Sequence, residues 1–416
     1  MVPFDPGRVA NARSWNMVLA QSGGSRGAGT VVGFDFAFIR DTAVDKCLNF
    51  HARGGAAWAH ALWGVPGSFP VVVLLTYAAF GVRPVRWFSQ VAPDAPGLHL
   101  RYRWSARALR WGSLLAGRPL PAPEHVPTDA PLPIARWMAG ELEHGRTPHL
   151  YTFASSAVRL ARAALEAGID LTGAEFTVGS EPVTAARLDT IRRTGAQVRP
   201  SYGSAECSRI GYACLAPKAP DDVHLLHDLH AVIQPAAPSG GTGLPPDTLL
   251  FSSLRPTAPL LLLNVSIGDQ AVLRPRACGC PLESLGWTLH LHTIRSQEKL
   301  TVAGMTLPGR DVLRVLEEVL PARFGGGPTD YQLVESGGPD GEPRLRLLVS
   351  PTVGRPCLRE VLGAFLEALG AGSDAARVVA LQWRQSGVLT IGRQAPVPTP
   401  VGKILALHSD RQGVSS

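Results

Sequence analysis

The sequence predicts an α/β protein of two parts, a large N-terminal α/β domain over 1–294 and a small C-terminal α+β domain over 295–416. Three observations predict it: a helix–strand alternation between Ser155 and Tyr202, a change of pattern after Arg295, and Pro/Gly-rich punctuation near 118–133, 235–246 and 325–328. In the alternating stretch Ser155 reads as the cap of a helix carrying Val158, Leu160, Ala161, Ala164 and Leu165 at helical spacing, with Gly168 as its stop. A strand follows at 176–178, a helix from Thr184 to Arg193 and a strand at 197–199. Such alternation implies parallel strands joined by crossover helices. In these sheets ligands sit beyond the carboxyl ends of the strands, where Gly179-Ser180-Glu181-Pro182 and Tyr202-Gly203-Ser204 fall. After Arg295 the pattern becomes a helix (311–320), two strands (331–334 and 345–349) joined by Gly337-Gly338-Pro339-Asp340-Gly341, and a helix (358–369).

Composition narrows the function classes. With 416 residues, 45% of them hydrophobic, both domains can bury a core. The net charge of +7 comes from 40 Lys+Arg against 33 Asp+Glu without a basic run, which speaks against a nucleic-acid groove. The most apolar run, from Phe69 to Phe80, is well short of the roughly 20 residues a spanning helix needs, so it reads as a buried element and no membrane span is expected. The N-terminus lacks the charged start and apolar core of an export signal, which makes the cytoplasm the expected compartment. Only four lysines occur, Lys46, Lys218, Lys299 and Lys403, so each one retained merits inspection.

The six cysteines are few, and in a reducing compartment a clustered subset suggests a metal. Cys214, His224, Cys278 and Cys280 supply three thiolates and one imidazole, a complete tetrahedral zinc set with no open position and hence structural. Cys207 and His227 are the substitutes; Cys47 and Cys357 read as ordinary core cysteines. His290 and His292 alternate along one strand and read as a solvated face, and His149, at the start of a buried strand, reads as hydrogen-bonded structure.

The chemistry-bearing motifs come in a fixed order. Ser22-Gly23-Gly24-Ser25-Arg26-Gly27 is a hydroxyl- and glycine-rich loop able to cradle phosphates. Tyr202-Gly203-Ser204-Ala205-Glu206 offers an aromatic face and a carboxylate for magnesium, Asp269 a carboxylate for ribose hydroxyls, and Gly402-Lys403 a late point charge.

From Ser22 to Lys403 this order resembles the phenylacetate-CoA ligase branch of the adenylate-forming, AMP-binding enzymes. The resemblance implies a large AMP-binding domain and a small C-terminal lid. The glycine loop is similar to that branch's Thr-Gly-Gly-Ser-Thr-Gly-x-Pro, with Arg26 in place of a threonine and Gly29 in place of the proline. It would assign Ser22, Gly23, Gly24, Ser25 and Gly27 to phosphate. Gly179, Ser180, Glu181 and Pro182 would lie beside adenine, Tyr202, Gly203 and Ser204 at the nucleoside, and Glu206 on Mg2+. Asp269 would take ribose and Arg295 ribose or phosphate; the hinge would be Gln297 or Glu298, with Ile294 replacing the family's glycine. Lys403 would bridge carboxylate and α-phosphate. Relatives also carry a similar Cys, His and Cys-x-Cys set.

The implied activity is ATP- and magnesium-dependent activation of a small carboxylic acid through an acyl-adenylate, with transfer to coenzyme A or a carrier protein's thiol. Two alternatives stand beside it: a degenerate, zinc-stapled binding or scaffold protein, and an adenylating enzyme with an amine or hydroxyl acceptor. Relatives carry a longer segment before the glycine loop than the 21 residues found here. Either the start is called late, or a subdomain is missing, or the chain depends on a partner; a missing segment that packs on the sheet would leave apolar surface for a partner or a homodimer to cover.

Overall fold

Chain order in the first half of the large sheet runs outward from its middle and then returns. A computed structural model describes residues 6–14, 18–21, 31–92, 100–115, 117, 119–235, 244, 247–296, 299–302, 305–337, 343–372, 374–399 and 402–410. It divides into two compact units, Met1–Thr184 with Ile191–Arg295, and Ala185–Thr190 with Ser296–Ser416.

The first unit opens with the hairpin β1 (Val18–Gln21) and β2 (Val31–Phe34), then α1 (Phe36–Ala52), β3 (Ala59–Gly64), α2 (Ser68–Ala79), β4 (Arg86–Ser89), α3 (Leu100–Leu115) and β5 (Pro123–His125). Next come α4 (Leu132–Glu143), β6 (Pro148–Phe153), α5 (Ala154–Glu166) and β7 (Glu175–Gly179), then α6 (Ala185–Arg192), most of which belongs to the second unit, and β8 (Gln197–Ser204). β9 (Ser208–Ala213), β10 (Val223–Leu225), β11 (His230–Ile233), β12 (Thr248–Ser253), β13 (Val265–Pro275) and β14 (Leu289–Ser296) complete the large sheet.

The sheet order is β11-β12-β13-β14-β10-β9-β8-β7-β6-β3-β4-β5. From β8 to β5 the strands are parallel, and from β8 through β9 and β10 to β14 they run antiparallel. The chain leaves β3 toward β4 and β5, then returns to lay β6 on the other flank of β3, with Leu62 opposite Tyr151. This reversal is the point at which such sheets open a ligand crevice.

Local sequence explains the elements that frame that crevice. The Asp35 carboxylate caps α1 by accepting from the Phe38 N–H at 2.8 Å. The apolar run over 69–80 forms α2, which packs Val73, Leu74 and Tyr77 against Leu62, Trp87 and Tyr151. α5 starts two residues earlier than expected, with Phe153 rather than Ser155 as its cap. Instead the Ser155 N–H and hydroxyl donate to the Glu181 carboxylate at 2.6 and 2.8 Å. A full negative charge thus sits where the helix presents its orphan N–H groups. Gly179 is glycine because a Cβ there would meet the Ser201 carbonyl oxygen of β8 at 2.5 Å.

The antiparallel half curls around a core of Val32, Phe34, Ile210, Val223, Leu249, Phe251 and Leu291. Its curl brings β13 back toward β8.

The second unit contains the hairpin β15 (Lys299–Val302) and β16 (Met305–Pro308), then α7 (Gly309–Arg314), a π-helical turn at Val315–Val319 and α8 (Leu320–Phe324). β17 (Tyr331–Gly337), β18 (Pro343–Val349), α9 (Leu358–Gly370), α10 (Asp374–Ser386), β19 (Leu389–Arg393) and β20 (Leu407–Asp410) follow. The four-stranded sheet has the order β19-β18-β17-β20 and shares a core of Leu333, Leu347, Phe365 and Trp383 with the helices. The helix expected over 311–320 runs on to Phe324 and widens to π geometry just before Pro321, whose missing N–H cannot close the ordinary helical bond.

Candidate active site and metal cluster

Two of the expected nucleotide residues meet directly. The Tyr202 hydroxyl, near the end of β8, donates to Asp269 Oδ2 of β13 at 2.6 Å. Burial, followed by the Asp269 charge, holds the Tyr202 phenol well above its usual range, so it stays a donor. Glu206 lies half-buried in the turn between β8 and β9, on the same hairpin as Tyr202. That hairpin is tight: a Cβ on Gly203 would meet the Ser208 carbonyl oxygen at 2.3 Å, and the Cys207 N–H donates to the Ser204 hydroxyl at 3.0 Å.

Gly179, Ser180, Glu181 and Pro182 form the loop leaving β7, with Ser180 in the left-handed region at φ 64°. Glu181 in this loop is engaged with Ser155. Arg295 is held by Asp221, its Nη1 3.0 Å from Oδ2, while Asp221 also accepts the N–H groups of Thr293 and Ile294. Nothing in the motif pattern pointed to Asp221. Lys403 lies in the second unit on a turn closed by the Gly402 N–H to the Thr399 carbonyl at 2.7 Å and the Lys403 N–H to the Thr399 hydroxyl at 3.1 Å. Ser22, Gly23, Gly24, Ser25 and Gly27 of the glycine loop and the hinge pair Gln297 and Glu298 lie outside the described residues.

The second constellation is a cluster of thiols and imidazoles. Ligand atoms of Cys214, His224, Cys278 and His290 all lie within 4.8 Å of one another. Cys280, expected in this set, is adjacent: its Sγ is 3.1 Å from His224 Nε2, and Cys278 Sγ is 3.8 Å from the same nitrogen. His290 was read as solvated and is instead buried, because its strand register places it opposite His224, with ring centroids 4.2 Å apart. Cross-strand partnership of this kind leaves no trace in local spacing.

The donor set fits a divalent ion such as zinc. His224 Nδ1 donates to the Trp287 carbonyl at 2.5 Å, which leaves Nε2 as a lone pair facing the thiols. His290 Nδ1 bonds Asp222 Oδ1 at 2.9 Å, and its Nε2 is buried without a hydrogen-bond partner. A carboxylate orienting an imidazole whose other nitrogen is bare is the arrangement metal sites use. Burial holds His224 neutral, down to about 4, and pushes the Cys214 thiol up to about 12. The Cys214 thiol therefore stays protonated unless a bound cation favours its thiolate.

The remaining histidine and cysteine expectations divide. His149 is fully buried, with Nδ1 3.0 Å from His60 Nδ1 and Nε2 2.8 Å from the Thr177 hydroxyl. Cys47 and Cys357 are exposed rather than core.

No family model matches the sequence, and no curated protein matches it. Solved structures match the fold. The anthranilate CoA ligase AuaEII in complex with anthranoyl-AMP superposes with a TM-score of 0.51 at 11% identity, covering 93% of this chain and 65% of that one. McyG A-PCP complexed with phenylalanyl-adenylate gives 0.51 at 11% identity, covering 97% of this chain and 66% of that one. The chain thus has the adenylate-forming fold, a large unit built on a mixed sheet and a smaller α+β unit, and spans about two thirds of the length of these two structures.

Proposed function

We propose that the protein is an AMP-forming acid–thiol ligase of the phenylacetate-CoA ligase kind. A carboxylate oxygen of the substrate attacks the α-phosphorus of MgATP, the bond to the bridging oxygen breaks, and pyrophosphate leaves with the electron pair. A thiol, from coenzyme A or a carrier's phosphopantetheine, then attacks the acyl carbon and displaces AMP. The observation that carries this reading is the 2.6 Å contact of Tyr202 with Asp269, with Glu206 on the hairpin that holds Tyr202.

In this reading Tyr202 and the loop Gly179–Pro182 frame adenine, and Asp269 accepts from the ribose hydroxyls. Glu206 holds the magnesium that arrives with ATP. Arg295 exchanges its Asp221 partner for ribose or phosphate oxygens. Ser22, Gly23, Gly24, Ser25 and Gly27 receive the departing phosphates, Lys403 meets the charge building on the carboxylate, and Gln297 or Glu298 is the pivot between half-reactions. Catalysis consists of positioning and charge, without a covalent enzyme intermediate. Cys214, His224 and Cys278, with His290 or Cys280 as fourth donor, hold a structural zinc that ties the segment after β9 to the loop between β13 and β14.

Acid-dependent pyrophosphate release from MgATP, assayed over aromatic and aliphatic carboxylic acids, tests the reading. Release that requires both acid and magnesium supports it; a folded, zinc-loaded protein that releases none with any acid refutes it.

A further inference from the structure

A second polar cluster lies beside the switch point between β3 and β6, and the roles assigned so far leave it unused. Lys46 of α1 is 6% exposed, and its ammonium stands 4.1 Å from the ring centroid of Tyr77 in α2 and 5.4 Å from that of Tyr151 in β6. Arg209 of β9 covers the same Tyr151 ring at 5.7 Å and the Tyr212 ring at 5.5 Å, and donates to the Tyr151 hydroxyl. Its Nη1 reaches the Tyr202 carbonyl oxygen at 3.5 Å, which joins this cluster to the strand holding the nucleotide residues.

No carboxylate forms an ion pair with Lys46 or Arg209 among the described residues. The nearby imidazoles supply no counter-charge, since His60 and His149 bond each other, Gly55 and Thr177. The Tyr77 hydroxyl, in a fully buried side chain, has no hydrogen-bond partner. Two basic groups facing one aromatic ring, with an unused hydroxyl in the same cluster and no paired carboxylate among the described residues, form a cluster in which burial and the Arg209 charge disfavour the charged form of Lys46. Such a cluster is costly unless an anion completes it.

We infer that Lys46, Arg209 and the Tyr77 hydroxyl receive the second carboxylate of a dicarboxylic acid, so that the acid activated by this protein carries an anionic group at its far end. The inference rests on the adenylation reading for the fate of the first carboxylate. The rings of Tyr77 and Tyr151 lie against these two basic groups. Lysine supplies a point charge and arginine a planar fork, a pairing suited to one carboxylate approached from two sides.

The test is calorimetric titration of the full chain, with and without a non-cleavable ATP analogue, using short aliphatic and aromatic diacids and the matching monoamides. At least one diacid binds, and its monoamide binds about 10- to 100-fold more weakly, the range a charge-assisted contact supplies. Lys46→Met removes that preference and raises the melting temperature of the ligand-free protein, because a desolvated amine without an anionic partner is gone. Equal binding of diacid and monoamide, or no diacid binding at all, overturns the inference; both are read on the unmodified chain, so a variant that fails to fold changes nothing. Pyrophosphate release is scored separately. Release with monoacids and no preference for diacids sinks the inference alone, whereas diacid binding without any release sinks adenylation and leaves the anion site standing.

Discussion

The Tyr202 hydroxyl and Asp269 Oδ2 stand 2.6 Å apart although their strands, β8 and β13, are separated in the sheet by β9, β10 and β14. In a flat sheet four strand spacings would hold them about 19 Å apart. The antiparallel half must therefore curl back on itself, and the bond between the two side chains closes the curl beside the hairpin that carries Glu206. In the proposed function the same carboxylate also accepts from the ribose hydroxyls.

Asp269→Asn is expected to raise KM for ATP about 10- to 100-fold in pyrophosphate release, the loss of one charge-assisted contact. Tyr202→Phe keeps the ring proposed to lie against adenine and removes only the hydroxyl, so its KM for ATP should change far less. Equal effects in the two variants would assign both residues to structure alone.

Asp45 supplies a pH test. Burial, then the charge of Asp228, raises its carboxyl to about 7, and Oδ2 has no partner. The folded state binds this proton more tightly than the unfolded state, whose value is 3.8, so the carboxyl's contribution to stability is lost as pH rises from about 4 to 7. Asp45→Asn should stabilise the protein by a few kcal/mol at pH 8 and by nothing near pH 3.5. Melting temperatures of the two proteins across pH 3.5–8 check this; parallel curves would contradict it.

Glu181→Gln weakens the two contacts at the start of α5 and removes a negative charge from a helix N-terminus. A loss of about 1 kcal/mol in denaturant unfolding follows. Ser155→Ala, which deletes only the hydroxyl partner, should cost less.

The metal assignment predicts one zinc per chain by elemental analysis, and a lowered melting temperature after chelation. Cys214→Ser and Cys278→Ser should each abolish stoichiometric zinc. Comparison of His290→Ala with Cys280→Ala identifies the fourth donor: the true ligand's variant loses zinc, and the other retains it. If neither Cys214→Ser nor Cys278→Ser alters zinc content, the site is wrong.

Sequence pattern and structure meet most closely where the information is local. The helices and parallel strands between Ser155 and Tyr202 follow from periodicity, and the strand-end loops lie where that alternation places them. Features built by distant pairing stayed hidden. Nothing near His290 announces that β14 sets it opposite His224, and nothing near Arg295 announces Asp221. Lys46 drew notice only as a rare lysine; its burial against Tyr77 and Tyr151 depends on how α1 and α2 settle on the sheet. Residue type alone points Cys47 to the core, but it falls on the outward side of α1.

The most direct test of acid activation compares the protein with Lys403→Ala in acid-dependent pyrophosphate release, using an acid that the unmodified protein accepts. In the proposed function Lys403 acts only on the charge that builds in the adenylation transition state, so kcat should fall at least about 100-fold, with KM for ATP changed little. Undiminished release by the folded variant would contradict the role given to Lys403, and with it the claim that this chain activates acids as proposed.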